Sequence, residues 1–222
     1  MRKEIIIHVG MPRTGTTYIQ NNYFKQTPGL HYHRNASIEF EPLSGKNIWS
    51  NEDFSGKPYI KSKWDRYSNY AGLKRRFPDA KMILGLRNQE DLHRSMYTLF
   101  IKNGWIKSFD EAKEILEYKY NVKEVKELFL EVFEDNEKYI YHYEDFRRDN
   151  LMIVQEIYDF MEIDLPDIIP SKPMNVGWTE KQITFFQNTN KLINKLHLSD
   201  KKLFLDVLAG KKEAKEAFLR KR

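Results

Sequence analysis

Apolar positions along the chain fall into short uniform runs that alternate with stretches of helical spacing. Ile5 to Val9 is a β-branched run uniform enough for a strand covered on both faces, and Gly10-Met11-Pro12-Arg13-Thr14-Gly15 breaks it sharply. Thr16 to Gln26 then predicts a helix, with Tyr18, Ile19 and Tyr23 on one side and Pro28-Gly29 as its stop. Residues 30 to 57, rich in Asn, Ser, Gly and His, show no clean period and read as irregular, pocket-forming structure. Lys81 to Leu86 predicts a second buried strand. After it, Asn88 supplies a cap and Glu90 with Asp91 an acidic first turn, for a helix whose stripe is Leu92, Met96, Leu99 and Phe100. Ser108-x-x-Glu111 and Asn121-x-x-Glu124 open two more helices, Tyr139 to Tyr143 is a third strand, and a helix carrying Ile153, Val154, Ile157, Tyr158 and Met161 follows. Thr179-x-x-Gln182 and Ser199 cap the last helices. Strands alternating with helices predict an α/β fold of three layers, α/β/α, around a central parallel sheet whose ligand site lies beyond the carboxyl ends of the strands.

Composition narrows the chemistry. The chain has 222 residues, 41% apolar and 31% charged, a globular balance with enough apolar material for a core. Aromatic residues reach 14%, so large rings must fill much of that core. The absence of cysteine excludes disulfides, thiolate metal sites and cysteine nucleophiles. The longest stretch without a formal charge, Thr14 to Phe24, is polar and far below the ~20 apolar residues of a membrane span, and the start has too short an apolar run for a signal peptide. The expected location is therefore the cytoplasm. A net charge of +5 favours anionic ligands, although much of it gathers near the end of the chain, at Lys211, Lys212, Lys215, Arg220, Lys221 and Arg222.

Gly10-x-x-x-x-Gly15-Thr16-Thr17 sits between strand and helix, where a loop can wrap its backbone N–H groups around phosphate oxygens. A nucleotide-hydrolysing loop of this kind carries Gly-Lys-Ser/Thr, and here Thr16 stands in place of that lysine. The loop's cation is Arg13 instead. This suits one phosphate or sulfonate group better than a metal-bridged triphosphate.

Pro12-Arg13-Thr14-Gly15-Thr16-Thr17 resembles the 5′-phosphosulfate loop of the sulfotransferases that use 3′-phosphoadenylyl sulfate (PAPS). Phe77-Pro78-Asp79-Ala80-Lys81, the strand after it, Arg87-Asn88 and Ser95-Met96-Tyr97 look like that family's 3′-phosphate site, and Tyr143-Glu144-Asp145-Phe146 like its Tyr-Glu-Asp segment. An arginine at a strand's carboxyl end and a serine two turns into the next helix can converge on one phosphate as a charged fork and a hydroxyl. The resemblance implies a single P-loop NTPase-like domain over residues 1–222, with a nucleotide-binding core over about 4–160 and a helical part over about 161–222. It also implies that Arg13 stabilises the bridging oxygen of the leaving phosphate, that Thr14, Gly15, Thr16 and Thr17 bind the 5′ group, that Arg87 and Ser95 bind the 3′-phosphate, and that Tyr143 contacts the nucleotide. The family's Arg-Lys-Gly closing loop is absent, and Ser171 to Gly177 is the candidate replacement.

The family places a His or Glu base near the end of the strand before the Phe-Pro-Asp-Ala-Lys segment, in bacterial members within Ser-x-Glu. Reading that strand as Pro58 to Asp65 puts Trp64 at the acid's position and leaves Asp65 as the candidate base, with His31, His33 and Glu39 as alternatives and a helix N-cap as the other role for Asp65. No metal is expected: His31 and His33 lack a matching third ligand. The implied reaction is sulfuryl transfer from PAPS to a hydroxyl or amine, leaving adenosine 3′,5′-bisphosphate (PAP). Trp49, Trp64, Trp105, Tyr59, Tyr67 and Tyr70 point to a carbohydrate or glycolipid acceptor. Two alternatives stay open, a P-loop kinase or NTPase with Asp145 on a metal, and a polyanion binder using the basic end. Nucleic acid is not an expected partner, and the sequence does not encode an oligomeric state.

Overall fold

The computed structural model describes residues 3–34, 41–55, 64–167 and 178–195. In chain order they form β1 (Lys3–His8), α1 (Thr16–Asn22), β2 (Leu30–Arg34), β3 (Gly45–Ser50), α2 (Trp64–Arg76), β4 (Lys81–Leu86), α3 (Gln89–Lys102), α4 (Phe109–Lys119), α5 (Val122–Val132), β5 (Lys138–His142), α6 (Tyr143–Arg148), α7 (Asn150–Met161) and α8 (Glu180–Lys195). The strands make one all-parallel sheet in the order β2-β3-β1-β4-β5. β1 lies at its centre, so the loop that follows β1 emerges at the carboxyl edge, where an open α/β sheet places its ligands.

Contacts divide the chain into two units. The first comprises Met1–Met96 with Lys113–Val176, and the second Tyr97–Ala112 with Gly177–Arg222. In the first, side chains alternate across the sheet as a pleat requires. Ile6, Ile48, Ile83 and Tyr141 share one cluster with Ile19 and Phe24, with Phe146 of α6, and with Ile153, Val154, Ile157 and Met161 of α7. The next residues along, Ile7, Trp49, Met82 and Leu84, are buried too. Trp49 meets Phe54 and Phe77 edge-on, and Tyr70 of α2 packs on Phe129 and Phe133. Helices thus cover both faces, the α/β/α arrangement expected from strand–helix alternation. In the second unit, α8 is tied by Asn190 Nδ2, which donates to the carbonyls of Ile101 and Trp105, and by Gln187 Nε2, which donates to those of Ile106 and Lys107.

The helix starts follow their caps. Asn88 Oδ1 accepts the amides of Glu90 and Asp91, Asn121 Oδ1 accepts that of Glu124, and both Ser108 with Glu111 and Thr179 with Gln182 close reciprocal capping boxes. Three expectations are corrected. The described residues of the stretch 30–57 are not irregular, because they hold β2, β3 and a 3₁₀ turn, Glu52–Ser55. Its period was hidden because β3 buries polar residues: Asn47 bonds the amide and carbonyl of Leu43 and the carbonyl of Gly45, and so satisfies itself inside the sheet. The strand expected to end at Asp65 is replaced there by α2, which starts at Trp64; residues 56–63 and the side chains of Trp64 and Asp65 lie outside the described residues. The helix through Gln26 stops at Asn22, followed by a 3₁₀ turn. No described helix is long and apolar enough to cross a membrane.

Candidate active site

The loop after β1 takes the left-handed conformation at two alternate positions, Arg13 (φ 67°) and Gly15 (φ 87°). Gly15 is required twice over, since a Cβ there would also lie 2.7 Å from the Phe146 ring. Among the described residues, no acceptor takes a hydrogen bond from the amides of Arg13, Thr14, Gly15, Thr16 or Thr17. Five consecutive free donors in a kinked backbone form an anion-binding concavity. Thr14 and Thr16 are buried beneath it, with Thr14 Oγ1 donating to the Met11 carbonyl at 2.6 Å and lying 3.2 Å from Thr16 Oγ1.

Two residues far along the chain meet Arg13, and a third meets one of them. Its Nε donates to Ser95 Oγ on α3 at 2.9 Å. Arg87, just past β4, donates from Nη1 to the Arg13 carbonyl at 3.1 Å and lies with its guanidinium 4.4 Å from the centre of the Tyr143 ring. Tyr143 is the first residue of α6, and its ring stacks on Phe146. Arg87 Nε is buried and has no hydrogen-bond partner among the described residues. The two guanidinium groups repel one another, and neither pairs with a described carboxylate. A spare buried donor beside two cations that lack a close ion-pair partner among the described residues suits an anion with more than one charge.

Beside the loop, the end of β3 reads Ser50-Asn51-Glu52. The turn Glu52–Ser55 is pinned from several sides: the Asn51 amide donates to the His8 carbonyl at 3.0 Å, Ser55 Oγ bonds the Val9 carbonyl and Tyr70, and Arg66 Nε donates to the Ser55 carbonyl at 2.8 Å. Glu52 is half-buried, and burial with the neighbouring Asp53 pushes its carboxyl above the usual range, while Arg13 and Arg34 pull the other way. An acid electrostatically coupled to the loop's cation is thus in place at the carboxyl edge.

The profile of the sulfotransferase domain family matches residues 3–221. The chain belongs to that family. Among solved structures, a sulfotransferase from Alicyclobacillus acidocaldarius is 18% identical with a TM-score of 0.57, over 91% of this chain and 99% of that one. A mouse sulfotransferase complexed with PAP is 14% identical with a TM-score of 0.52, over 86% of this chain and 65% of that one. No curated protein matches in sequence. The family assigns the enzyme to sulfuryl transfer, and the structural neighbours share its fold.

In this sulfotransferase, Arg13, Thr14, Gly15, Thr16, Thr17, Arg87, Ser95 and Tyr143 all fall on one edge of the sheet. Asp65 lies in the first turn of α2. His31 and His33 lie on β2, bonded to the Ser44 carbonyl and to Asn47 Oδ1. Glu39, the Ser171 to Gly177 segment and the basic end are outside the described residues. Among the described residues no group of three His, Cys, Asp or Glu is arranged to hold a metal. Two of the rings considered for an acceptor, Trp49 and Tyr70, are fully buried core residues, whereas Tyr67 is exposed. Sequence reasoning missed Glu52, His8 and Tyr141. The signal for Glu52 was present, since Ser50-Asn51-Glu52 is a Ser-x-Glu at a strand's end, twelve residues before the tripeptide that was tested for it.

Proposed function

We propose that this sulfotransferase moves the sulfuryl group of PAPS to an acceptor hydroxyl, with Glu52 rather than Asp65 as the base. The observation that carries the reading is the convergence of Arg13, Ser95, Arg87 and Tyr143, with a buried donor of Arg87 left over. The free amides of the loop and the hydroxyls of Thr16 and Thr17 hold the 5′-phosphosulfate. Arg87 and Ser95 hold the 3′-phosphate, and Tyr143 contacts the nucleotide. When bound, the donor supplies an activated sulfuryl group on a good leaving phosphate. Arg13 and the loop amides stabilise the charge that builds on the leaving oxygen as its bond to sulfur breaks. Glu52 takes the acceptor's proton as the new sulfur–oxygen bond forms, and burial, which raises its pKa, strengthens it as a base. A carbohydrate acceptor is the class that fits the exposed ring of Tyr67, on the helix whose Arg66 braces the Glu52 turn.

The test is a titration of desalted protein with PAP in the presence of a chelator, followed by labelled sulfate transfer from PAPS to glycan, lipid and phenol acceptors. Binding without Mg²⁺ and labelling of glycans are expected. No binding at millimolar PAP would overturn the nucleotide reading, and labelling confined to phenols would overturn the acceptor class.

A further inference from the structure

Below the phosphate loop lies a buried polar chain that the transfer chemistry leaves unused. His8, at the end of β1, is fully buried. Its Nδ1 lies 2.8 Å from Ser50 Oγ, which stands opposite it in the β1–β3 register, and its Nε2 lies 3.2 Å from the Tyr141 hydroxyl on β5. Gln20 of α1 donates from Nε2 to Ser50 Oγ at 2.9 Å, and the Tyr141 hydroxyl donates to the Thr14 carbonyl at 3.3 Å. Donor and acceptor roles then follow in one direction. Gln20 donates to Ser50, Ser50 to His8 Nδ1, His8 Nε2–H to Tyr141, and Tyr141 to the loop. This order needs a rigid side chain with an acceptor at one end and a donor at the other. Neutral imidazole has both, and burial lowers the His8 pKa to about 3, so the ring stays neutral.

Two glycines show that room is left for this chain. Tyr141 crosses β4 at Gly85, its partner in the register, where a Cβ would lie 2.5 Å from the tyrosine oxygen and 2.9 Å from Thr14 Oγ1. At Gly10 a Cβ would lie 2.5 Å from Thr16 Oγ1 and 3.2 Å from His8 Nε2. At its other end the chain holds Ser50, two residues before Glu52.

We propose that Gln20, Ser50, His8 and Tyr141 form a positioning relay in which one buried imidazole sets the phosphate loop, through Thr14, and the Glu52 turn, through Ser50, in a fixed mutual placement. The inference rests on the roles given above to that loop and to Glu52. A purely structural polar cluster would lose stability alone when cut, whereas the relay predicts that its two arms separate in function.

The arms are cut by isosteres. The Gln amide reproduces the Nε2 position and keeps the bond to Tyr141, and the Asn amide reproduces Nδ1 and keeps the bond to Ser50. His8→Asn and Tyr141→Phe are expected to weaken PAP binding about tenfold, the worth of one buried hydrogen bond, with His8→Gln within about threefold of wild type. In transfer assays with the acceptor found by the screen, His8→Gln should instead lower kcat about tenfold with little change in the KM for PAPS. All measurements are made well below each variant's melting temperature. Wild-type PAP affinity and wild-type kcat in folded variants would overturn the relay, as would equal losses in both readouts for all three. Should the His8 variants not fold, Tyr141→Phe decides alone, because it removes one oxygen and keeps the ring. A wild-type protein that does not bind PAP would overturn the nucleotide reading itself, an outcome distinct from wild-type binding with indifferent variants.

Discussion

Arg87→Ala separates a ligand-binding arginine from a structural one. Among the described residues the guanidinium donates one hydrogen bond, to the Arg13 carbonyl at 3.1 Å, and makes one cation–π contact, with Tyr143 at 4.4 Å. Together these are worth about 2 kcal/mol. Against them stands a buried Nε without a partner, which costs about 1–3 kcal/mol, while the repulsion from Arg13 is offset by the attraction of Asp91 and Glu144. The net effect on stability is about zero, within about 1 kcal/mol, or a melting shift of no more than about 4 °C for a chain of this size. Binding should respond differently. A bidentate arginine–phosphate contact supplies two charge-assisted bonds of about 1.5–3 kcal/mol each, so losing it weakens PAP by about a hundredfold or more. The assay pairs thermal melts without nucleotide and calorimetric titration with PAP at one fixed ionic strength. A melting temperature lowered by about 8 °C or more with unchanged PAP affinity would refute the reasoning, because it would make Arg87 a structural strut.

Glu52→Gln should lower kcat about 10²–10⁴-fold with PAP affinity retained, while Asp65→Asn should leave both unchanged; the reverse pattern in transfer assays would move the base to α2. Because burial and Asp53 raise the Glu52 pKa, the acid limb of the kcat profile should lie above the usual carboxylate range and vanish in Glu52→Gln. The folded state then holds that proton more tightly than the unfolded chain. Wild type should therefore lose stability relative to Glu52→Gln as pH rises through this range, and match it again at lower pH, as pH-dependent chemical denaturation would record. His8 has the opposite sign. Its ring binds a proton near pH 6.5 when unfolded but only near 3 when folded, so up to about 5 kcal/mol is lost as pH falls across that window, and acid melts of a folded His8→Gln variant should show a shallower fall. Gly85→Ala places a methyl 2.5 Å from the Tyr141 oxygen and should cost about 1–3 kcal/mol by denaturant titration, with weaker PAP binding.

The elements that announced themselves in the sequence bury one kind of side chain or carry a local cap. Lys81–Leu86 was legible as a strand from its apolar run, and the helices at Ser108 and Asn121 from caps that close within three residues. β3 was not, because its signal depends on neighbours distant in the chain. Ser50 is a buried polar residue whose partners, His8 and Gln20, 42 and 30 positions away, assemble only when the sheet forms. With β3 unread, the strand before Phe77 falls at 58–65, and the Ser-x-Glu at Ser50-Asn51-Glu52 goes unnoticed. The strand, kinked loop and helix from Lys3 to Asn22 were legible because strand, glycines and hydroxyls lie close together in the chain. His8 and Tyr141 read as ordinary strand residues, and only Gly85, a glycine inside an otherwise apolar strand, hinted that something crosses there.

The hydrogen bond from Arg13 to Ser95 has a consequence for selectivity on the proposed reading. It joins the loop that would hold the 5′ group to the helix that would hold the 3′-phosphate, across 82 positions of sequence. Arg13 and Arg87 repel in the free protein, so an anion that touches only one of them leaves part of that repulsion in place. A nucleotide bearing charge at both ends neutralises the pair and fills the spare Arg87 donor at once. Selection for a 3′-phosphorylated nucleotide then needs no element that repels the unphosphorylated one. It follows from two cations held together at the carboxyl edge of the sheet, neither of them in a close ion pair with a described carboxylate.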